Sequence, residues 1–111
     1  MGILKDRFKA KADAAAAEIR TMLREHGNKK IGEVTLSQIY QGMRGMTGLV
    51  SETSLLDPQE GIRFRGYSIP ELRAQLPKVE GGTEPMPEGL FYLMLIGELP
   101  TQEDALHVQD V

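Results

Sequence analysis

The chain has 111 residues, 41% of them hydrophobic and only 5% aromatic, with no cysteine and a formal net charge of −3. That length leaves room for one modest domain or for part of a larger one, and the missing thiols exclude disulfide staples and thiolate metal sites, so a thin core would need a partner surface. The acidic balance excludes a nucleic-acid role resting on a general positive field, and the longest apolar run, Leu90 to Ile96, is far below the ~20 residues of a membrane helix.

Leu4, Phe8, Ala12, Ala15, Ile19, Met22 and Leu23 recur at three- and four-residue steps, which predicts a long first helix over about 3–26 with one apolar stripe, stopped by Gly27. Lys9, Lys11, Asp13, Glu18 and Arg24 fall off that stripe, as expected of a helix lying on a larger body with its other face in water. Lys5, Arg7, Lys9 and Lys11 ahead of an alanine-rich stretch have the look of a targeting segment, but Asp6, Asp13 and Glu18 interrupt it and no secretory apolar run is visible, so a soluble cytoplasmic protein is expected.

Short strands and turns are predicted over about 31–66. Ile31 to Val34 reads as a first short strand, and Thr35 with Gln38 makes a capping box for a helix running to about Met43. Thr53 to Leu56 and Ile62 to Phe64 read as two strands joined by the reversal Asp57-Pro58-Gln59-Glu60-Gly61. Ser68 with Glu71 makes a second capping box, with Pro70 in the first turn, for a helix over about 69–76. After a loop holding Gly81-Gly82, Pro87 opens the most hydrophobic element, a helix over about 87–96 closed by Gly97 and apolar nearly all round. Thr101 with Asp104 caps a last helix expected over about 101–111. The fold class is therefore mainly α with a small antiparallel β element.

The stretch Gly42-Met43-Arg44-Gly45-Met46-Thr47-Gly48 is the most suggestive chemically, because three glycines free the backbone around one fixed cation. Backbone N–H groups and a guanidinium could converge there on an anion, although by spacing alone a tight turn whose glycines serve packing is the favoured reading. It is not a Walker loop, since the Lys-Ser/Thr ending is missing and a helix, not a strand, precedes it. No catalytic candidate emerges. His26 beside Gly27 and His107 near Val111 belong to no metal-ligand pattern, so no metal is expected; the serines lack a nucleophile-elbow context, and the acidic residues are scattered.

Four stretches, read together, resemble the citrate synthase family in order and spacing. They are Tyr40-Gln41-Gly42-Met43-Arg44-Gly45-Met46-Thr47-Gly48-Leu49, Glu52-Thr53-Ser54-Leu55-Leu56-Asp57-Pro58, Glu60 to Glu71, and Pro87-Glu88-Gly89-Leu90-Phe91. His26-Gly27-Asn28 and Gly97 to Thr101 are similar too, so the resemblance covers the chain from the first helix to the last. Family members are several times longer, and the resemblance implies that residues 1–111 are the amino-terminal segment of the large helical domain of a homodimeric enzyme. That enzyme condenses acetyl-CoA with oxaloacetate to give citrate and CoA, with acetyl-CoA as a substrate and no cofactor or metal. In the family an Asp acts as base and two His act on the enolate and the oxaloacetate carbonyl, and all of these motifs are expected beyond residue 111. The chain by itself is thus expected to hold no catalytic residue and to be inactive. One binding position carries over, Arg44, which resembles the family arginine that contacts CoA phosphates. Arg63 and Arg65 resemble a pair implied in guiding anionic oxaloacetate, with ordinary strand-surface charge as the equal alternative. The location implied is the cytoplasm for a bacterial protein and the mitochondrial matrix for a eukaryotic one. A non-catalytic association module, using the first helix and Leu90 to Ile96, is the reading from a different class.

Overall fold

The structure is a computed structural model that describes Gly2–Val111. It divides into two units, Met1–Ala14 with Ser51–Val111, and Ala15–Val50. The longest element, α1 (Gly2–His26), contributes residues to both.

In the larger unit, β1 (Ser54–Asp57), β2 (Gly61–Phe64) and β3 (Tyr67–Ser68) form a three-stranded antiparallel sheet in that order. The register pairs Leu55 with Arg63 and Leu56 with Ile62, then Phe64 with Tyr67. The first reversal is fixed locally, because the Asp57 Oδ1 accepts the N–H groups of Gln59 and Glu60, both at 2.8 Å, and Gly61 takes a φ of 88°. The second reversal is the two-residue Arg65-Gly66, with φ of 50° and 89°. Positive φ at both central residues is the type I′ pattern, whose twist suits a hairpin, though Asn or Gly is the usual first residue. Sequence reading missed β3 for that reason.

α3 (Ile69–Gln75), α4 (Pro87–Ile96) and α5 (Gln102–Gln109) follow. The predicted capping boxes start α3 and α5: Glu71 N–H and Asp104 N–H donate to the Ser68 and Thr101 hydroxyls at 3.3 and 3.1 Å. Apolar nearly all round, α4 shows its inward face only in the structure, as Gly89, Tyr92, Leu93 and Ile96, a stripe at helical spacing. Leu93 is fully buried and joins Leu72 and Leu76 in the core, with Phe64, Tyr67, Leu90 and Leu99 packed against it. The helix expected to reach Val111 ends at Gln109, where the Asp110 N–H turns back to the Leu106 carbonyl.

The smaller unit holds the second half of α1 and α2 (Leu36–Tyr40), and none of its residues is buried. Two expectations fail here. Ile31 to Val34 is not a strand: it pairs with no other segment among the described residues, and Ile31 stands 81% exposed. α2 does not reach Met43, because Gly42 and Met43 both turn to positive φ, 73° and 63°. The Met43 N–H then returns to the Gln38 carbonyl at 2.9 Å and closes the helix end, in the manner of a Schellman turn. The apolar stripe of α1 is left open as well, with Phe8, Ile19, Met22 and Leu23 all exposed.

Gly97 ends α4 in the left-handed region at φ 90°, and its N–H bonds the Leu93 carbonyl. Gly97→Ala is expected to destabilise the chain by about 1–2 kcal/mol, the cost of placing a Cβ in that region. A urea midpoint for Gly97→Ala equal to that of the parent chain would contradict this.

Candidate functional site

Arg44 lies in the turn after α2, and the turn's shape is set by local bonds. Thr35 N–H donates to Gln38 Oε1 at 2.9 Å and Gln38 N–H to the Thr35 hydroxyl at 3.2 Å, which completes the predicted box and fixes the start of α2. Gln38 also accepts the Met43 N–H through its carbonyl, so one residue ties both ends of the short helix. Gly45 takes a φ of 70°, and the Met46 N–H reaches the Met43 carbonyl at 3.3 Å. The three positive φ values at Gly42, Met43 and Gly45 bracket Arg44, which is exposed and, among the described residues, pairs with no carboxylate. A cleft of about 220 Å³ beside the turn is lined by Ile31, Glu33, Val34, Gly45 and Met46, and Arg44 is outside that lining. An uncommitted guanidinium on a bent backbone can bind an oxyanion in two-pronged fashion at little reorganisation cost.

Arg63 and Arg65 belong to the larger unit and are differently engaged. Arg63, on β2, donates to the Gly66 carbonyl at 3.0 Å and has Glu60 and Glu71 carboxylates each at 3.5 Å. Arg65, expected on a strand surface, is instead the first residue of the tight turn. Its Nε and Nη2 both donate to the Met94 carbonyl, at 3.1 and 2.7 Å. Met94 is in the last turn of α4, where free carbonyls and the helix dipole favour a cation. Arg65 therefore joins the sheet to the end of α4, and its own N–H extends the β1–β2 pairing to the Thr53 carbonyl at 2.8 Å. Sequence could not show this bond, since its partners are 29 residues apart.

A further cluster in the larger unit was not anticipated. Arg7 Nη1 donates to the Tyr92 hydroxyl at 2.7 Å and also pairs with Asp104, while its guanidinium carbon is 5.9 Å from the Tyr92 ring centre. Asp104 is 12% exposed; burial pushes its carboxyl upward, but bonds from the Thr101 N–H, the Arg7 guanidinium and the Thr101 hydroxyl outweigh that and hold it below the ordinary range. His26 and His107 are exposed at helix ends, 3.9 and 3.7 Å from Glu25 and Glu103. Among the described residues no group of three metal-ligating side chains gathers.

Three more carboxyls are held low: Asp57 by the Glu60 and Gln59 N–H groups, Glu71 by the Ser68 N–H with help from Arg63, and Glu84 by Arg73, which reaches it at 2.6 Å. Since each folded value is below the unfolded value of about 4, the stability these groups contribute is complete above that value and is lost as pH falls through the folded ones. Helical circular dichroism is accordingly expected to stay level from about pH 7 to 5 and to fall below about pH 4. Loss already at pH 6 would show that other groups govern acid stability.

No family model matches the chain. Among curated proteins it is 59% identical over 98 residues to the protein named citrate synthase, mitochondrial, of Saccharomyces cerevisiae, a match covering 88% of this chain and 20% of that one. It is 58% identical over 85 residues to the protein of the same name from Kajikia audax, covering 77% of this chain and 18% of the relative. The chain thus spans about a fifth of the length of these relatives.

Proposed function

We propose, because the chain belongs to the citrate synthase family, that it works as part of an enzyme that condenses acetyl-CoA with oxaloacetate to give citrate and CoA. The observation that carries this is the 59% identity over 98 residues, which runs through both the glycine turn and the sheet. In this reading the segment supplies part of the amino-terminal scaffold of the large domain, a share of a dimer surface and one contact to substrate. The general acid and base groups are supplied elsewhere in the whole enzyme, and the chain alone is inactive. The mitochondrial names of both relatives support the matrix, not a bacterial cytoplasm, as the place of action.

Arg44 is the contact we assign to the CoA phosphates. What supports it is its exposure and lack of a carboxylate partner, beside a turn with no acidic residue from Gly42 to Gly48. For Arg63 and Arg65 the reading is guidance of anionic oxaloacetate by charge. The two differ in what they have left to offer. Glu60 and Glu71 offset the Arg63 charge, whereas Arg65 bonds a neutral carbonyl and keeps its charge uncancelled.

In the complete enzyme, Arg44→Ala is expected to raise the KM for acetyl-CoA about five- to tenfold, the loss of one charge-assisted contact, with kcat and the oxaloacetate KM unchanged. An unchanged acetyl-CoA KM would leave the turn a structural feature only.

A second reading, an association module, is favoured by one observation. The Ala15–Val50 unit buries no residue and exposes Ile31, Leu36, Tyr40, Leu49 and Val50, each above 70%. Apolar surface of this kind is normally covered. The isolated 111-residue chain is therefore expected to scatter light at micromolar concentration as a species heavier than its 12.3 kDa. A clean monomer mass would remove this reading.

A further inference from the structure

Among the serines and threonines of the chain, only Thr47 and Ser68 have an arginine three residues before them, Arg44 and Arg65. An arginine at that spacing is what arginine-directed protein kinases read, by setting acidic side chains of their own opposite it. The structure separates the two hydroxyls. Ser68 is half-buried on β3, its hydroxyl accepts the Glu71 N–H at 3.3 Å, and Arg65 is already bonded to the Met94 carbonyl. Thr47 is exposed and lies outside every helix and strand, and among the described residues its hydroxyl makes no hydrogen bond. Arg44 is exposed and pairs with no carboxylate. Residues 46–50 carry no regular structure, so this segment can enter a kinase groove in extended form without melting an element, whereas Ser68 cannot.

We propose that Thr47 is a phosphorylation site for an arginine-directed kinase, and that its phosphate is taken up by Arg44 and so denies that residue to CoA. The second half rests on the assignment of Arg44 to the CoA phosphates. The kinase moves the γ-phosphoryl group of ATP to the Thr47 Oγ1: the new P–O bond forms as the bond to the β–γ bridging oxygen breaks, ADP leaves, and the hydroxyl proton passes to the kinase's carboxylate. The product carries a charge of about −1.5 to −2 and three strong acceptor oxygens. The Met46 N–H to Met43 carbonyl bond, at 3.3 Å, folds the chain back at Arg44-Gly45. Even a fully extended chain separates Cα atoms three residues apart by at most about 11 Å, a gap that an arginine and a phosphothreonine side chain together can span. No acid lies from Gly42 to Gly48. The acidic residue lining the cleft of about 220 Å³ beside Thr47 is Glu33, which repels a phosphate there, while Arg44, outside that lining, attracts it. A pair joined by so short a tether meets at an effective concentration in the millimolar range or above, so the bound phosphate competes well with dissolved CoA.

The test uses the catalytic domain of a calmodulin-dependent protein kinase, which reads a single arginine three residues before the hydroxyl, with ATP. Peptide mass spectrometry of the treated 111-residue chain is expected to find phosphate on Thr47 at least about fivefold above Ser68, whose hydroxyl must first leave its capping bond. Equal labelling, or none on Thr47, overturns the site. In the chain with phosphothreonine incorporated at position 47 during translation, the ³¹P titration should place the second phosphate pKa below the ordinary value of about 6, and Arg44→Gln should return it there. An ordinary value in the parent chain overturns capture by Arg44. In the complete enzyme, kinase treatment should raise the acetyl-CoA KM about five- to tenfold with kcat unchanged, and Thr47→Val, treated alike, should keep its KM. If Arg44→Ala raises that KM and phosphate on Thr47 does not, this inference fails and the assignment of Arg44 stands. If neither raises it, the assignment itself fails.

Discussion

The constraint on which the rest depends is the smallness of the core. Leu72, Leu76 and Leu93 form its centre, and the described residues beyond the larger unit bury nothing. A chain of this size ordinarily buries well over half of the surface that its unfolded form exposes, because hydrophobic burial has to offset backbone entropy of similar magnitude. Within this segment, which spans about a fifth of the length of its relatives, much of the order comes from bonds between near neighbours. That is the pattern seen here: side-chain caps at the starts of α2, α3 and α5, an Asx bond at Asp57, and left-handed residues at the ends of α2 and α4.

Local bonds of this kind are also what a sequence displays. Thr35 with Gln38, Ser68 with Glu71, and Thr101 with Asp104 were each legible because both partners of a capping box lie within one turn, and all three form their reciprocal bonds. Gly97 was legible as a helix end for the same reason. Contacts between distant residues were not. Nothing in the pattern around Arg65 marks it for the Met94 carbonyl, and its place at the first position of a type I′ turn runs against propensity. Arg7, read as one cation among several on α1, meets side chains 85 and 97 residues away. Ile31 to Val34 shows the converse error, because β-branched residues announce a strand only when an edge is available to pair with them.

The two candidate charge sites were legible to different degrees. The glycines around Arg44 announced a turn, and the turn is there, with its positive φ values at Gly42, Met43 and Gly45. Met43 was the unexpected member, since a non-glycine residue in the left-handed region carries a cost of order 1 kcal/mol that near-neighbour bonds have to offset. The Gln38 carbonyl and the capping box behind it do so. Arg63 and Arg65 were legible as charges but not as bonds, and the bonds decide how much of each charge is felt at a distance.

A guanidinium that bonds only carbonyls holds structure together and still projects a positive field, whereas one between two carboxylates does the first without the second. Arg65 is of the first kind, Arg63 of the second, and Arg44 has neither restraint. That ordering follows from the contacts alone, and it makes Arg44 the residue most able to take up a phosphate: no existing bond must break before one can form. The same logic separates the cations of α1. Lys9 pairs within its own helix, while Arg7 bonds Tyr92 on α4 and Asp104 on α5, so of the two only Arg7 ties its helix to another part of the larger unit.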